Sequence, residues 1–156
     1  MRKRLLTQTQ ERKPTDSDWF DVEHAAIVEV TSEEKDSPVE AALVLNETNG
    51  WRAGHPGAQV IRLVFNEPKM LKYICLNFEE TESTRTQEFV LRSSSDGGRN
   101  FQEIVRQQWN FSPPATAVER EEYRTELSNV NVLELVIVPD ISGGSARASL
   151  RSLRIA

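Results

Sequence analysis

One cysteine and two histidines are all that the 156 residues hold of the usual thiolate and imidazole metal ligands. A lone Cys75 excludes an intrachain disulfide and a thiolate metal cluster. It lies within Tyr73-Ile74-Cys75-Leu76 and reads as a small buried hydrophobe rather than a nucleophile, because nothing adjacent is electropositive. His24 and His55 lack the spacing of a metal motif, and neither a Gly-x-Ser-x-Gly elbow nor a phosphate-cradling glycine loop occurs. Glu79 and Glu80 are neighbours on a strand and point to opposite faces, so they do not make a glycosidase dyad. A glycan-acting hydrolase built from distant loops is therefore the least favoured reading.

Positive charge is also in deficit. The net charge of -5 argues against nucleic acid as partner, since neutralising phosphates requires a basic stripe. The basic cluster Arg2, Lys3, Arg4, Arg12 and Lys13 sits in a polar tail and reads equally well as a solvated start. No apolar run approaches the roughly 18 residues of a membrane helix, and no apolar signal core follows the basic start. The expectation is a cytoplasmic protein with no membrane association. Helical periodicity is scarce, and no fixed-length repeat appears, which removes propellers and solenoids.

What is present is alternation. The stretch from Arg85 to Phe111 has two strand-like runs flanking Asp96-Gly97-Gly98, whose paired glycines suit a tight hairpin. Phe89 and Leu91 share a face before the turn, and Phe101, Val105, Trp109 and Phe111 share one after it. A hairpin so apolar on one side needs other strands to cover it. Ala25 to Val30 reads as the first strand. Val39 to Leu45 is a short helix or an irregular apolar segment. Gln59 to Phe65 turns inward Ile61, Leu63 and Phe65, and Asn66-Glu67-Pro68-Lys69 reads as a turn. Met70 to Glu80 is apolar on both faces, so it is central and doubly covered, or bulged. Val118 to Leu127 is strongly charged, with Tyr123 and Leu127 inward, and reads as an edge strand. Asn129-Val130-Asn131 reads as a turn before the strand from Val132 to Val138, and residues 146 to 155 close the chain. About eight strands with Gly, Pro and Asn punctuation predict an all-β antiparallel sandwich over 16–156, preceded by a polar arm at 1–15.

The order of features resembles the discoidin-like, galactose-binding-like jelly rolls, which include the coagulation-factor C-type domains and related carbohydrate-binding modules. The resemblance rests on Ala41-Ala42-Leu43 through Gly50-Trp51-Arg52, the strand ending at Pro68, and Leu71 to Leu76. It extends through the Ser-Asp-Gly-Gly turn between Phe89 and Phe101, and the closing runs Leu133 to Val138 and Ala148 to Ile155. It implies a jelly-roll sandwich that binds a glycan or small polar ligand with loops at one end, and no catalysis. The candidate ligand residues are Trp51, Arg52, His55, Glu80, Arg85, Gln108 and Trp109. A sugar needs an apolar ring against its C–H face and polar groups for its hydroxyls. Each candidate also has a plain reading: Trp51 and Trp109 as core, Arg52 as a cap or ion pair, His55 as an exposed loop residue, Glu80 and Arg85 as a bridge across a turn. Members of the family often hold a structural calcium near the turn before the tryptophan. Here Val44 stands where an aspartate is usual, with Asn46, Glu47 and Asn49 nearby, so calcium is disfavoured and no cofactor is expected. The alternative function is a protein-interaction module or homodimer that uses the arm and the charged edge.

Overall fold

A computed structural model describes residues 1–3, 14–15, 17–46 and 49–156. Most of the expected arm, at 4–13, lies outside the described residues. A one-turn helix α1 (Val22–Ala25) leads into strand β1 (Ala26–Val30), and a second, α2 (Glu40–Leu43), precedes the short β2 (Trp51–Arg52). Then come β3 (Gln59–Glu79), β4 (Arg85–Ser94), β5 (Gln102–Phe111), β6 (Val118–Val138), β7 (Ser149–Leu150) and β8 (Ser152–Ile155). Every strand pairing is antiparallel. No helix among the described residues is long and apolar enough to cross a membrane. The segment 39–45, open between helix and irregular chain in the sequence, contains the helix α2.

Two expected turns are not turns. Asn66-Glu67-Pro68-Lys69 and Asn129-Val130-Asn131 lie inside the continuous strands β3 and β6, which pair with each other on both sides of these positions. Proline has no N–H for the ladder, and the register breaks between Val64 and Lys69. On the facing strand Asn129 adopts φ 55°, in the left-handed region that asparagine tolerates. Both strands therefore bend together and fold the sheet over itself instead of reversing. The first half of β3 lies with β1, the second half of β6, β4 and β5; its second half lies with β8 and the first half of β6.

The two layers meet through Ile61, Leu63, Leu133, Leu135, Ile137, Phe89 and Leu91 on one side and Ile74, Leu76, Phe78, Leu153 and Ile155 on the other, all buried. Phe78 and Phe89 stack across the gap with ring centroids 5.2 Å apart. Replacing such a ring by alanine costs about 3–5 kcal/mol through lost burial and a cavity. The outer face of the second half of β3 is covered too: Tyr73 packs against Trp19 at 5.7 Å between centroids, and Cys75 is 3% exposed. The doubly apolar run of the sequence is thus both central and bulged. Among the described residues β5 and the first half of β6 pair on one side only.

Candidate functional site

Register places five connections at one end of the sandwich. Gln59 pairs with Ile137, Glu88 with Val138, Arg85 with Phe111 and Glu79 with Val118. The connections at 31–37, 53–58, 80–84, 112–117 and 139–148 consequently share a rim, with the two-stranded ribbon of β2 and β7 among them.

Trp51 organises that rim from beneath. Its ring is 1% exposed, and its Nε1–H donates to the Ser32 carbonyl at 2.9 Å. The backbone on either side continues the tie: Glu34 N–H donates to Arg52 O, Arg52 N–H to Ser37 O, and Ala53 N–H to Ala148 O. Gly50 is required at the entrance. It holds φ 77°, and a Cβ there would lie 2.8 Å from the Leu150 carbonyl oxygen. Gln59, 1% exposed, is a second staple; its Oε1 accepts from Thr31 Oγ1 and Ser32 Oγ, and its Nε2 lies 3.2 Å from His55 Nδ1.

Over this floor lies an open depression of about 260 Å³, bordered by Asn49, Arg52, Glu79, Glu80, Glu82, Arg147, Ser149 and Arg151. Arg147 Nη1 and Arg52 Nε both approach Glu34 Oε1, at 2.7 and 3.4 Å. Arg151 Nη1 meets Glu79 Oε2 at 3.0 Å. Glu80 accepts from Arg85 Nε at 2.7 Å and from the Glu82 amide at 3.1 Å. Burial alone would push the Glu80 carboxyl up; the Arg85 and amide hydrogen bonds outweigh it and hold the group below the usual carboxylate range. The depression thus presents guanidinium donors and carboxylate acceptors side by side, the complement of vicinal hydroxyl groups.

Of the seven residues singled out in the sequence, Trp51, Arg52 and Glu80 come together at the depression. Trp51 does so only as its floor: a ring 1% exposed has no face to offer a sugar. Arg85, 4% exposed, lies beneath Glu80 with its guanidinium 4.7 Å from the centre of the Phe111 ring, so it positions the rim without facing it. His55 is exposed on the neighbouring loop, beyond Gln59. Gln108 and Trp109 lie apart on β5: Gln108 faces outward and donates to Glu88 Oε2, while Trp109 packs inward against the core. Reading from sequence missed Glu34, Arg147 and Arg151. Glu34 lies in the connection after β1, and its partner Arg147 is 113 positions away.

Among the described residues, the turn ahead of Trp51 offers few free oxygens to a cation. The carbonyls of Ala42 and Val44, oxygens that the turn would offer a cation, accept instead from the Arg154 guanidinium at 2.8 and 3.3 Å. Asn46 and Asn49 are the only described polar side chains there, against the six to eight oxygens calcium takes. A wider hollow of about 970 Å³ lies by the bend, beside Met70, Lys72 and Tyr73. Pro14, Asp18 and Ala156 complete its border.

No protein-family profile matches the chain. No curated protein sequence matches it significantly. Solved structures do match. The family 32 carbohydrate-binding module of C. perfringens NanJ, in complex with galactose, superposes with a TM-score of 0.64 at 12% identity, over 88% of this chain and 96% of that one. The family 32 module of AlyQ, in complex with 4,5-unsaturated mannuronic acid, gives 0.63 at 16% identity, over 88% and 97%. A family 32 module from a family 31 glycoside hydrolase of Clostridium perfringens gives 0.63 at 18%, over 92% and 98%. The antiparallel, galactose-binding-like sandwich expected from the sequence is the fold of this chain.

Proposed function

We propose that this chain is a non-catalytic carbohydrate-binding module and that the rim depression bordered by Arg52, Glu80, Arg147 and Arg151 takes the sugar. The observation that carries the reading is the depression itself: paired guanidinium and carboxylate groups converge on one concave surface at a loop-bearing end of the sandwich. The same fold in other proteins is seen with galactose and with an unsaturated uronic acid, which supports the class of ligand. With Trp51 buried, recognition rests on charged donors and acceptors for hydroxyls rather than on ring stacking.

A glycan array followed by calorimetric titration of the best hits tests this. The double variant Arg52→Ala/Arg147→Ala should lose at least roughly tenfold in affinity, as expected when two charge-assisted hydrogen bonds are removed. Its unfolding free energy should change by less than about 1 kcal/mol, because both side chains are partly exposed. A blank array, or unchanged affinity in the double variant, overturns the reading.

A further inference from the structure

The first half of β6 looks in sequence like a solvated, charged edge, yet its inward positions carry Glu119 at 0% exposure, then Glu121 and Tyr123. Glu119 Oε1 accepts from Gln87 Nε2 at 3.2 Å, whereas its Oε2 is buried without a hydrogen-bond partner. Among the described residues no cation is hydrogen-bonded to it, and the charge of Arg85 offsets its burial only in part. Arg85, the nearest guanidinium, gives Nε to Glu80 at 2.7 Å and Nη1 to the Pro139 carbonyl at 2.7 Å and to Gln87 Oε1 at 3.2 Å. The neighbouring donors, Tyr123 Oη and Trp109 Nε1, are buried and likewise unpartnered, so neither reaches Oε2. On the same inward face, two residues along, stands a second acceptor, the Glu121 carboxyl. Two carboxylates cannot hydrogen-bond to each other; a carboxylic acid and a carboxylate can.

We propose that Glu119 is a neutral carboxylic acid that donates its proton to Glu121, and that this acid pair forms the inner end of a buried relay, Glu119–Gln87–Arg85–Glu80, that positions the rim. Every link of the relay is a hydrogen bond between groups that are buried or nearly so: Gln87 is 0% and Arg85 4% exposed. Desolvation, followed by the hydrogen bond and charge of Glu121, pushes the Glu119 carboxyl up to about 8. The titratable and charged groups packed around it are Glu121 and Tyr123 on β6, Arg85 on β4 and, behind Arg85, Glu80. Burial raises the Tyr123 hydroxyl as well, so it stays protonated throughout the range in question. Above the Glu119 midpoint the proton goes to solvent and two carboxylates face each other on a dry seam; Gln87 and Arg85 favour the ionised form but are outweighed, so the repulsion shifts Glu119 and, through its hydrogen bond with Gln87, resets Arg85 beneath the rim. The link to the rim rests on the ligand reading above; the acid pair does not.

The sign follows from the folded state holding a proton that the unfolded chain has released. From the ordinary carboxylate range up to about 8, stability falls as pH rises, and above that it levels off. The test is the side-chain carboxyl 13C resonance of Glu119 in the intact chain against pH, with the Arg85 Nε–H resonance followed in the same series. A Glu119 midpoint near 8, with Arg85 moving at the same pH, is the expected result; a midpoint in the ordinary carboxylate range overturns the proposal. Glu119→Gln keeps an acceptor for Gln87 and places an N–H toward Glu121, so it should abolish the fall in stability between pH 5 and 8. A slope equal to that of the unsubstituted chain also overturns it. For the rim, galactose is the probe: its affinity should be roughly threefold or more weaker at pH 9 than at pH 6.5 in the unsubstituted chain, and equal at the two pH values in Glu119→Gln. Binding of galactose that is indifferent to pH removes the link to the rim. No galactose binding at either pH, with the high midpoint intact, retires the ligand reading and upholds the acid pair.

Discussion

Replacing Trp51 by phenylalanine separates a structural tryptophan from a ligand-binding one. The ring is 1% exposed, so the change acts inside the fold. It deletes the Nε1–H bond to the Ser32 carbonyl, worth about 1 kcal/mol net, and strands that carbonyl in a partly buried place at a further cost of about 1 kcal/mol. Shrinking the indole to a phenyl ring removes about 40 Å² of buried apolar area, about another 1 kcal/mol at 25 cal/mol per Å². The sum is about 3 kcal/mol, equivalent to a fall in Tm of roughly 6–12 °C for a domain of this size. Urea denaturation is the assay, with an unchanged slope showing that the midpoint shift is a stability change. Sugar binding under native conditions should weaken only as far as the loop at 31–37 loosens around Glu34. A variant with stability unchanged within about 0.5 kcal/mol but with binding abolished would return the Trp51 ring to the ligand and refute this reasoning.

Two further outcomes follow from buried groups away from the rim. Glu134, 1% exposed, accepts from Arg62 Nη2 at 2.6 Å and from Arg92 Nε at 2.9 Å, under the Phe101 ring. Burial alone would raise its carboxyl; the two guanidinium groups outweigh that and hold it below the usual range. Glu134→Gln should therefore cost about 2–4 kcal/mol at pH 7, with the cost shrinking as pH falls below the ordinary carboxylate range through the depressed folded value; an equal cost at pH 3 would contradict the pairing. Cys75, 3% exposed, should resist an aromatic disulfide reagent in the native protein and react as one thiol in denaturant; rapid native labelling would place it at the surface.

Much of the fold was legible because a strand's two faces alternate. Parity alone turned Ile61, Leu63 and Phe65 inward, and paired glycines marked the connection between β4 and β5. The same parity put Glu119 and Glu121 on the face of Tyr123 and Leu127, although the charge of the run made it look solvated. What local pattern does not encode is the company each residue keeps across the sandwich. Pro68 and Asn129 break a ladder whether the chain reverses or bends; only the pairing of β3 with β6 beyond both points made them bends. Gly-Trp-Arg is compatible with an exposed ring or a buried one, and the tertiary fold, in which Trp51 pairs with Leu150 near the far end of the chain, made it buried. Desolvation and ion pairing depend on distance in space, so the Glu34 partnership with Arg147 and the burial of Glu119 were decided by tertiary structure.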